Sequence, residues 1–150
     1  MRRNYLYIKS WVITLLVVAA LSGCNKIGKG ESTYTLEDFE VAMNDLGYDF
    51  VIKDVSRDFL QTTRKRMIID DIAIDIYTFG NDKEMDIEAG YIDEGGCGYN
   101  NGHRAVKVSW ISYPHFYKKG SLIVQYIGED SKIIRDLEDI MGEQFAGKVL

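Results

Sequence analysis

At 150 residues, 46% of them hydrophobic and 12% aromatic with a single proline, the chain carries enough apolar side chain for one buried core, which excludes a disordered stalk. Its 23 acidic against 18 basic residues, a formal charge of −5 at pH 7, exclude the electrostatic footprint of a nucleic-acid-binding protein. Two cysteines are too few for a disulfide-stapled scaffold.

Arg2, Arg3 and Lys9 form a positive head, and in residues 11–21 only Thr14 is polar. A helix of that length spans about 16 Å against a hydrocarbon core of about 30 Å, too short for a comfortable membrane span. Charged head, short apolar middle and small residues form the layout of a secretory signal peptide. Leu21, Ser22, Gly23 and Cys24 then match the lipobox, and the stretch resembles the leader of bacterial lipoproteins. That resemblance implies a diacylglycerol on the Cys24 thiol and cleavage before it, so that the membrane is a partner through the anchor on Cys24. Two acyl chains at about 0.8 kcal/mol per buried CH₂ hold stably where one is marginal. The alternatives are an ordinary thiol in an uncleaved helix, or a pair with Cys97.

The expected organisation is a signal peptide over residues 1–23, a flexible tether over 24–33 and one domain over 34–150. A tether of ten residues reaches about 17 Å. Loss of residues 1–23, with three basic and no acidic side chains, moves the formal charge from −5 to −8. Anionic lipid or wall polymer would repel such a domain, leaving the acyl chains to anchor it at the outer face of the cell membrane. With Cys24 lipidated, Cys97 has no internal disulfide partner.

Thr35 followed by Asp38 predicts a helix cap, and Leu36, Phe39, Met43 and Leu46 recur at helical spacing until Gly47 ends the run. Residues 48–55 read as a strand. Residues 67–69 and 72–79 flank Asp70 and Asp71, which predicts an antiparallel pair with an acidic turn. Asn81 or Asp82 caps a second helix with Met85, Ala89 and Ile92 on one side, although Gly90 falls inside it. Residues 93–104, "DEGGCGYNNGHR", read as a loop. Residues 106–113 and 121–127 alternate and are expected to pair as a hairpin with "PHFYKKG" at its tip. Ile133, Ile134, Leu137, Ile140, Met141 and Phe145 give the clearest amphipathic helix, capped by Asp130 or Ser131.

This order predicts an α+β fold: two layers, a mainly antiparallel sheet of about five strands and about three helices packed on one face. The run from Ile72 onward suits a split βαβ-like unit. "PHFYKKGSLIVQYIG" and "LEDIMGEQFAG", with "IAIDIYTFGNDKEM" more loosely, are similar to segments of small uncharacterised lipoproteins of low-GC Gram-positive bacteria. That resemblance covers about the last third of the chain. It implies location, a single-membrane envelope and fold, with no chemistry attached.

Cys97 and His103 could form a thiol and base pair, but their loop is glycine-rich and lacks a rigid flank. Cys97, His103, His115, Asp93 and Glu94 include zinc-ligand types without the usual paired spacing, so no metal and no cofactor is expected. Asp70, Asp71 and Asp75 could make a weak calcium surface, and solvated charge is the simpler account. "GKGES" lacks the spacing of a phosphate loop. His115, Phe116, Tyr117, Lys118 and Lys119 suggest an aromatic and basic tip on an acidic domain, suited to a partner surface. Trp110 alternates with Val106 and Val108 and reads as core. The sequence thus points to a non-enzymatic, lipid-anchored module binding an envelope protein or ligand. The alternative is a thiol-dependent envelope enzyme or redox protein using Cys97.

Overall fold

The computed structural model describes residues 33–147, within a unit that spans Thr33–Leu150. The signal peptide, the Cys24 anchor and the tether up to Ser32 lie outside the described residues.

Helix α1, Leu36–Asp45, starts where expected because Thr35 and Asp38 satisfy each other: the Asp38 carboxylate accepts from Thr35 N–H at 2.8 Å, and Thr35 Oγ1 accepts from Asp38 N–H. Gly47, at φ +83°, turns the chain out of the helix. Helix α2, Asp82–Ala89, is capped by Asn81, which accepts from Glu84 N–H at 3.0 Å. Gly90 is its C-cap, so the glycine ends the helix and does not weaken its interior. Helix α3, Ser131–Met141, is capped by Asp130 and buries Ile133, Ile134, Leu137 and Met141. Each such side chain contributes about 1.5–3 kcal/mol on burial.

The strands are β1 (Val51–Val55), β2 (Thr63–Ile69), β3 (Ile72–Thr78), β4 (Gly98–Asn100), β5 (Ala105–Lys107), β6 (Pro114–Lys119), β7 (Leu122–Ile127) and β8 (Ala146–Gly147). Six of them form one sheet in the order β1-β2-β3-β7-β6-β8, every neighbouring pair antiparallel; β4 and β5 form a small second sheet. The fold is α+β. β3 and β6 run parallel with β7 paired between them, which is the split βαβ arrangement with the small sheet inserted in its crossover. Asp70 and Asp71 form the two-residue β2–β3 turn, with Asp70 at φ +49°, a left-handed conformation that aspartate tolerates.

The layering is fuller than two layers with all helices on one face. Successive side chains of a strand point to opposite faces. Ile74 and Ile76 of β3 join Met67, Tyr117 and Val124 under Phe39 of α1 and Leu137 of α3. Tyr77, with Ile123 and Phe116, faces the other way into a second core containing Phe59, Leu60, Met85 and Ala89 of α2, and Tyr99 of the small sheet. Two helices therefore cover one face, and the third covers the other together with β4, β5 and residues 56–62.

The expected second hairpin is displaced. Residues 114–119 are not a tip but strand β6, which pairs along its full length with β7, and the turn is Gly120–Ser121. Pro114 is its first residue, the place where a strand accepts proline. Gly120, at φ +55°, lies so close to the Tyr34 backbone that a Cβ would clash with the Tyr34 carbonyl oxygen. Residues 106 and 107 belong to β5, which pairs with β4 in the stretch expected to be a loop.

Candidate functional site

The register aligns one row of residues across the main sheet: Lys53, Arg66, Asp75, Gln125, Phe116 and Ala146. The row passes from cationic to apolar because its apolar end lies beneath the second core, while its β1–β2 end is not covered. Val51 remains 57% exposed and Ala73 is exposed. Where the cover stops, residues 109–111 overhang the sheet and leave a cleft of about 410 Å³.

The cleft is floored by Arg66, Ala73, Asp75 and Gln125 and walled by Trp110 and Ile111. Asp75 is buried at 8% exposure, and a lone buried carboxylate would be costly. Two guanidinium groups compensate it. Arg66 donates from Nε at 2.7 Å and from one terminal nitrogen at 2.8 Å, and Arg64 donates to the same carboxylate at 2.5 Å. Arg64 also bridges to Asp58 at 3.1 Å and to the Ser56 carbonyl. The hydrogen bond to Asp75 holds the Arg66 pKa above its ordinary value. For Arg64, burial pulls the pKa down, but hydrogen bonding to Asp75 and the nearby negative charges prevail and leave it raised. Burial first, and then the Asp58 charge, push the Tyr77 phenol far above its usual range.

Tyr77 has one hydroxyl proton and lies 2.9 Å from Asp58 and 3.1 Å from the Gln125 amide. Donation to the charged Asp58 balances the network when the Gln125 amide presents its N–H to the phenol oxygen, leaving the other amide atom buried without a partner. Arg66 is the open member of this set. Its second terminal nitrogen has no partner among the described residues, and its side chain is 36% exposed at the cleft rim.

Trp110 is half-buried, as its alternation with core positions suggested, and serves the cleft as well. Its indole N–H donates to the Gly96 carbonyl at 2.8 Å, and its ring meets Phe59 edge-on with centroids 5.8 Å apart. This pins the overhang. Ile111, the next residue, is fully exposed.

The expected aromatic tip is not formed. His115, Phe116 and Tyr117 are each at 0% exposure, because β6 is a central strand with both faces covered. His115 is held between the Gly128 carbonyl at 3.1 Å and the Gln144 amide at 2.6 Å, stacked on Tyr126. Only Lys118 and Lys119 reach the surface. Lys118 pairs with Asp86 at 2.7 Å; Lys119 donates to the Ile140 carbonyl and stands 4.5 Å over the Tyr34 ring. Their ammonium groups are therefore engaged within the fold.

Cys97 is exposed, and its backbone N–H donates to Asp93 at 2.9 Å. Its carbonyl accepts from Val108 at the open end of the β4–β5 ladder, whereas His103 lies in the turn at the other end. Three residue rises, about 10 Å, separate the two ends, so the thiol and the imidazole do not form a pair. Among the described residues no group of three or more His, Cys, Asp or Glu side chains is placed to hold a metal ion. Asp75, one of the three aspartates of the weak calcium surface, is occupied by Arg64 and Arg66. No described helix is long and apolar enough to cross a membrane.

Reading the strands separately does not reveal the cleft, whose parts come from β2, β3, β7 and the 109–111 overhang. A usable signal does exist: Asp75 and Gln125 each interrupt an otherwise apolar strand, and antiparallel pairing brings them into one row with Arg66, the last residue of the polar run that opens β2. Comparison with protein-family models, with curated proteins and with solved structures finds no match for this chain.

Proposed function

We propose that the chain is a lipid-anchored, extracytoplasmic binding domain without a catalytic role, held to the cell membrane through a diacylglycerol on Cys24 and binding through the cleft beside Trp110. The anchor rests on the sequence from the positive head to Cys24. Binding rather than catalysis is supported by one observation above all: the charged side chains at the centre of the cleft, Arg64, Arg66 and Asp75, are engaged with one another. Asp75 is taken by two arginines, Arg64 is shared between Asp75 and Asp58, and at Arg66 the rim offers a hydrogen-bond donor. The thiol-enzyme alternative has an exposed Cys97, but His103 lies at the other end of the β4–β5 ladder.

Mass spectrometry of the chain expressed in a Gram-positive host tests the anchor, with a diacylglycerol-modified Cys24 as N-terminal residue expected and an unmodified water-soluble product refuting it. Cys97→Ser tests the non-catalytic half. Its host phenotype should match wild type, and loss of function in a folded Cys97→Ser protein would transfer the assignment to the thiol.

A further inference from the structure

The charge of the described domain is unevenly placed. Residues 33–147 carry 12 basic and 22 acidic side chains, yet five of the basic ones, Lys53, Arg57, Arg64, Lys65 and Arg66, fall within residues 53–66 beside only Asp54 and Asp58. The helices carry the opposite sign, with Glu37, Asp38, Glu40 and Asp45 on α1 and Asp82, Glu84, Asp86 and Glu88 on α2. The cationic excess is therefore concentrated on β1, β2 and the segment between them. Arg66 lines the cleft, and Lys53 is its cross-strand partner on the uncovered face, one strand further out.

We propose that this cleft is a binding site for a small amphiphilic oxyanion, its charged group at Arg66 and Lys53 and its apolar body against Trp110 and Ile111. The ligand class rests on the reading of the cleft as the binding surface. Arg66 supplies the donor: with Nε and one terminal nitrogen committed to Asp75, its guanidinium plane is fixed and the remaining nitrogen points a preorganised N–H pair. The wholly exposed Ile111 and the indole pinned to Gly96 supply a flat apolar wall. A volume of about 410 Å³ suits a small molecule and is too small for a folded partner's face. Asp71 lines the end of the cleft at the β2–β3 turn, four residues or about 13 Å along β3 from the Arg66 row, and thereby orients the anion toward Arg66. A carboxylate and a phosphate share this chemistry.

The test is titration of the full chain in detergent with 3-phenylpropionate, 2-phenylethyl phosphate and the neutral 3-phenylpropionamide, following the Trp110 indole N–H resonance assigned with Trp110→Phe. At least one anion should saturate, with the amide weaker by about tenfold or more, the equivalent of one lost charge-assisted hydrogen bond. The preference between the two anions identifies which oxyanion the site takes. Arg66→Gln should weaken the better anion by a similar factor. Because Arg66 also pairs with Asp75, Ile111→Asp provides a variant at a fully exposed position, and it too should lose about tenfold while keeping the wild-type spectrum. Equal binding of anion and amide, no saturable shift with any probe, or an unchanged affinity in both variants would overturn the proposal. The readout does not depend on lipidation, so a failed titration on a chain with modified Cys24 refutes the ligand class and leaves the anchor standing.

Discussion

Arg66 on β2 grips Asp75 on β3 through two nitrogens of one guanidinium, at 2.7 and 2.8 Å, and Arg64 closes on the same carboxylate from the neighbouring row. Removing the shared acceptor leaves two cations with one common partner lost. Asp75→Ala should cost about 3–5 kcal/mol, read as a lowered urea midpoint. Arg66→Gln should cost less, because Arg66 is partly exposed and Arg64 still compensates the carboxylate. A stability loss under 1 kcal/mol for Asp75→Ala would show that the triad is not the structural centre of this face.

Phe116 meets Phe59 edge-on with centroids 6.0 Å apart and lies near Trp110 and Phe145. Phe116→Ala should destabilise by about 3–5 kcal/mol. Lys118→Ala and Lys119→Ala should each cost no more than about 1 kcal/mol, the scale of an exposed ion pair or cation–π contact. Equilibrium denaturation of the three variants separates a buried strand from a displayed tip, for which all three would be mild.

An exposed thiol with no imidazole beside it should react as an ordinary cysteine. Cys97 should react with a disulfide reagent in the native state, His103→Ala should leave that rate unchanged, and Cys97→Ser should shift stability by no more than about 0.5 kcal/mol. A native-state rate that falls in His103→Ala would restore the pair.

Burial, and then the charge of Asp38, raise the Tyr34 phenol to about 12, and burial raises Tyr117 as well. The folded protein thus keeps protons that the unfolded chain releases near pH 10. The associated stability is complete below pH 10 and declines as pH rises from 10 through 12. Denaturation midpoints at pH 9, 10 and 11 should fall, and Tyr34→Phe should flatten the decline. The Tyr34 hydroxyl is buried without a partner among the described residues, so the phenylalanine should be tolerated at neutral pH.

Gly120→Ala should lower stability by more than about 1 kcal/mol, since it combines a left-handed φ with a Cβ pressed on the Tyr34 backbone. Loss of Tyr34 docking should follow, visible as faster exchange of the Ser121 N–H, which donates to the Tyr34 carbonyl at 3.1 Å. An unchanged Ser121 exchange rate would separate the turn from that docking.

The helix starts were legible because their information is local: Thr35, Asn81 and Asp130 cap them, and Gly47 ends α1 at φ +83°; the end of α3 was not, since Gly142 at φ +92° stops it at Met141 and Phe145, expected on its apolar face, packs on the second core. The β2–β3 hairpin was legible from its turn. β6 was not, because a strand buried on both faces has no polar alternation, and Pro114 and Gly120 at its ends mimic turn residues. β4 is three residues long, too short to carry a period within a glycine-rich stretch. The cleft depends on register, which pairs Arg66 with Asp75 and Asp75 with Gln125, and no single segment records it.

Tyr34 docks at the Ser121 end of the sheet, next to Phe79, whose N–H donates to the Ser121 carbonyl, whereas Ala73 and Ile127 mark the end where the cleft opens. Five residue rises along β3 from Ala73 to Thr78 place these ends about 17 Å apart. A chain tied to the bilayer at Cys24 would be leashed by one pole and open at the other. Extending or shortening the chain ahead of Thr33 should therefore leave the affinity of the cleft for the proposed oxyanion unchanged, because the point of attachment and the mouth share no residue.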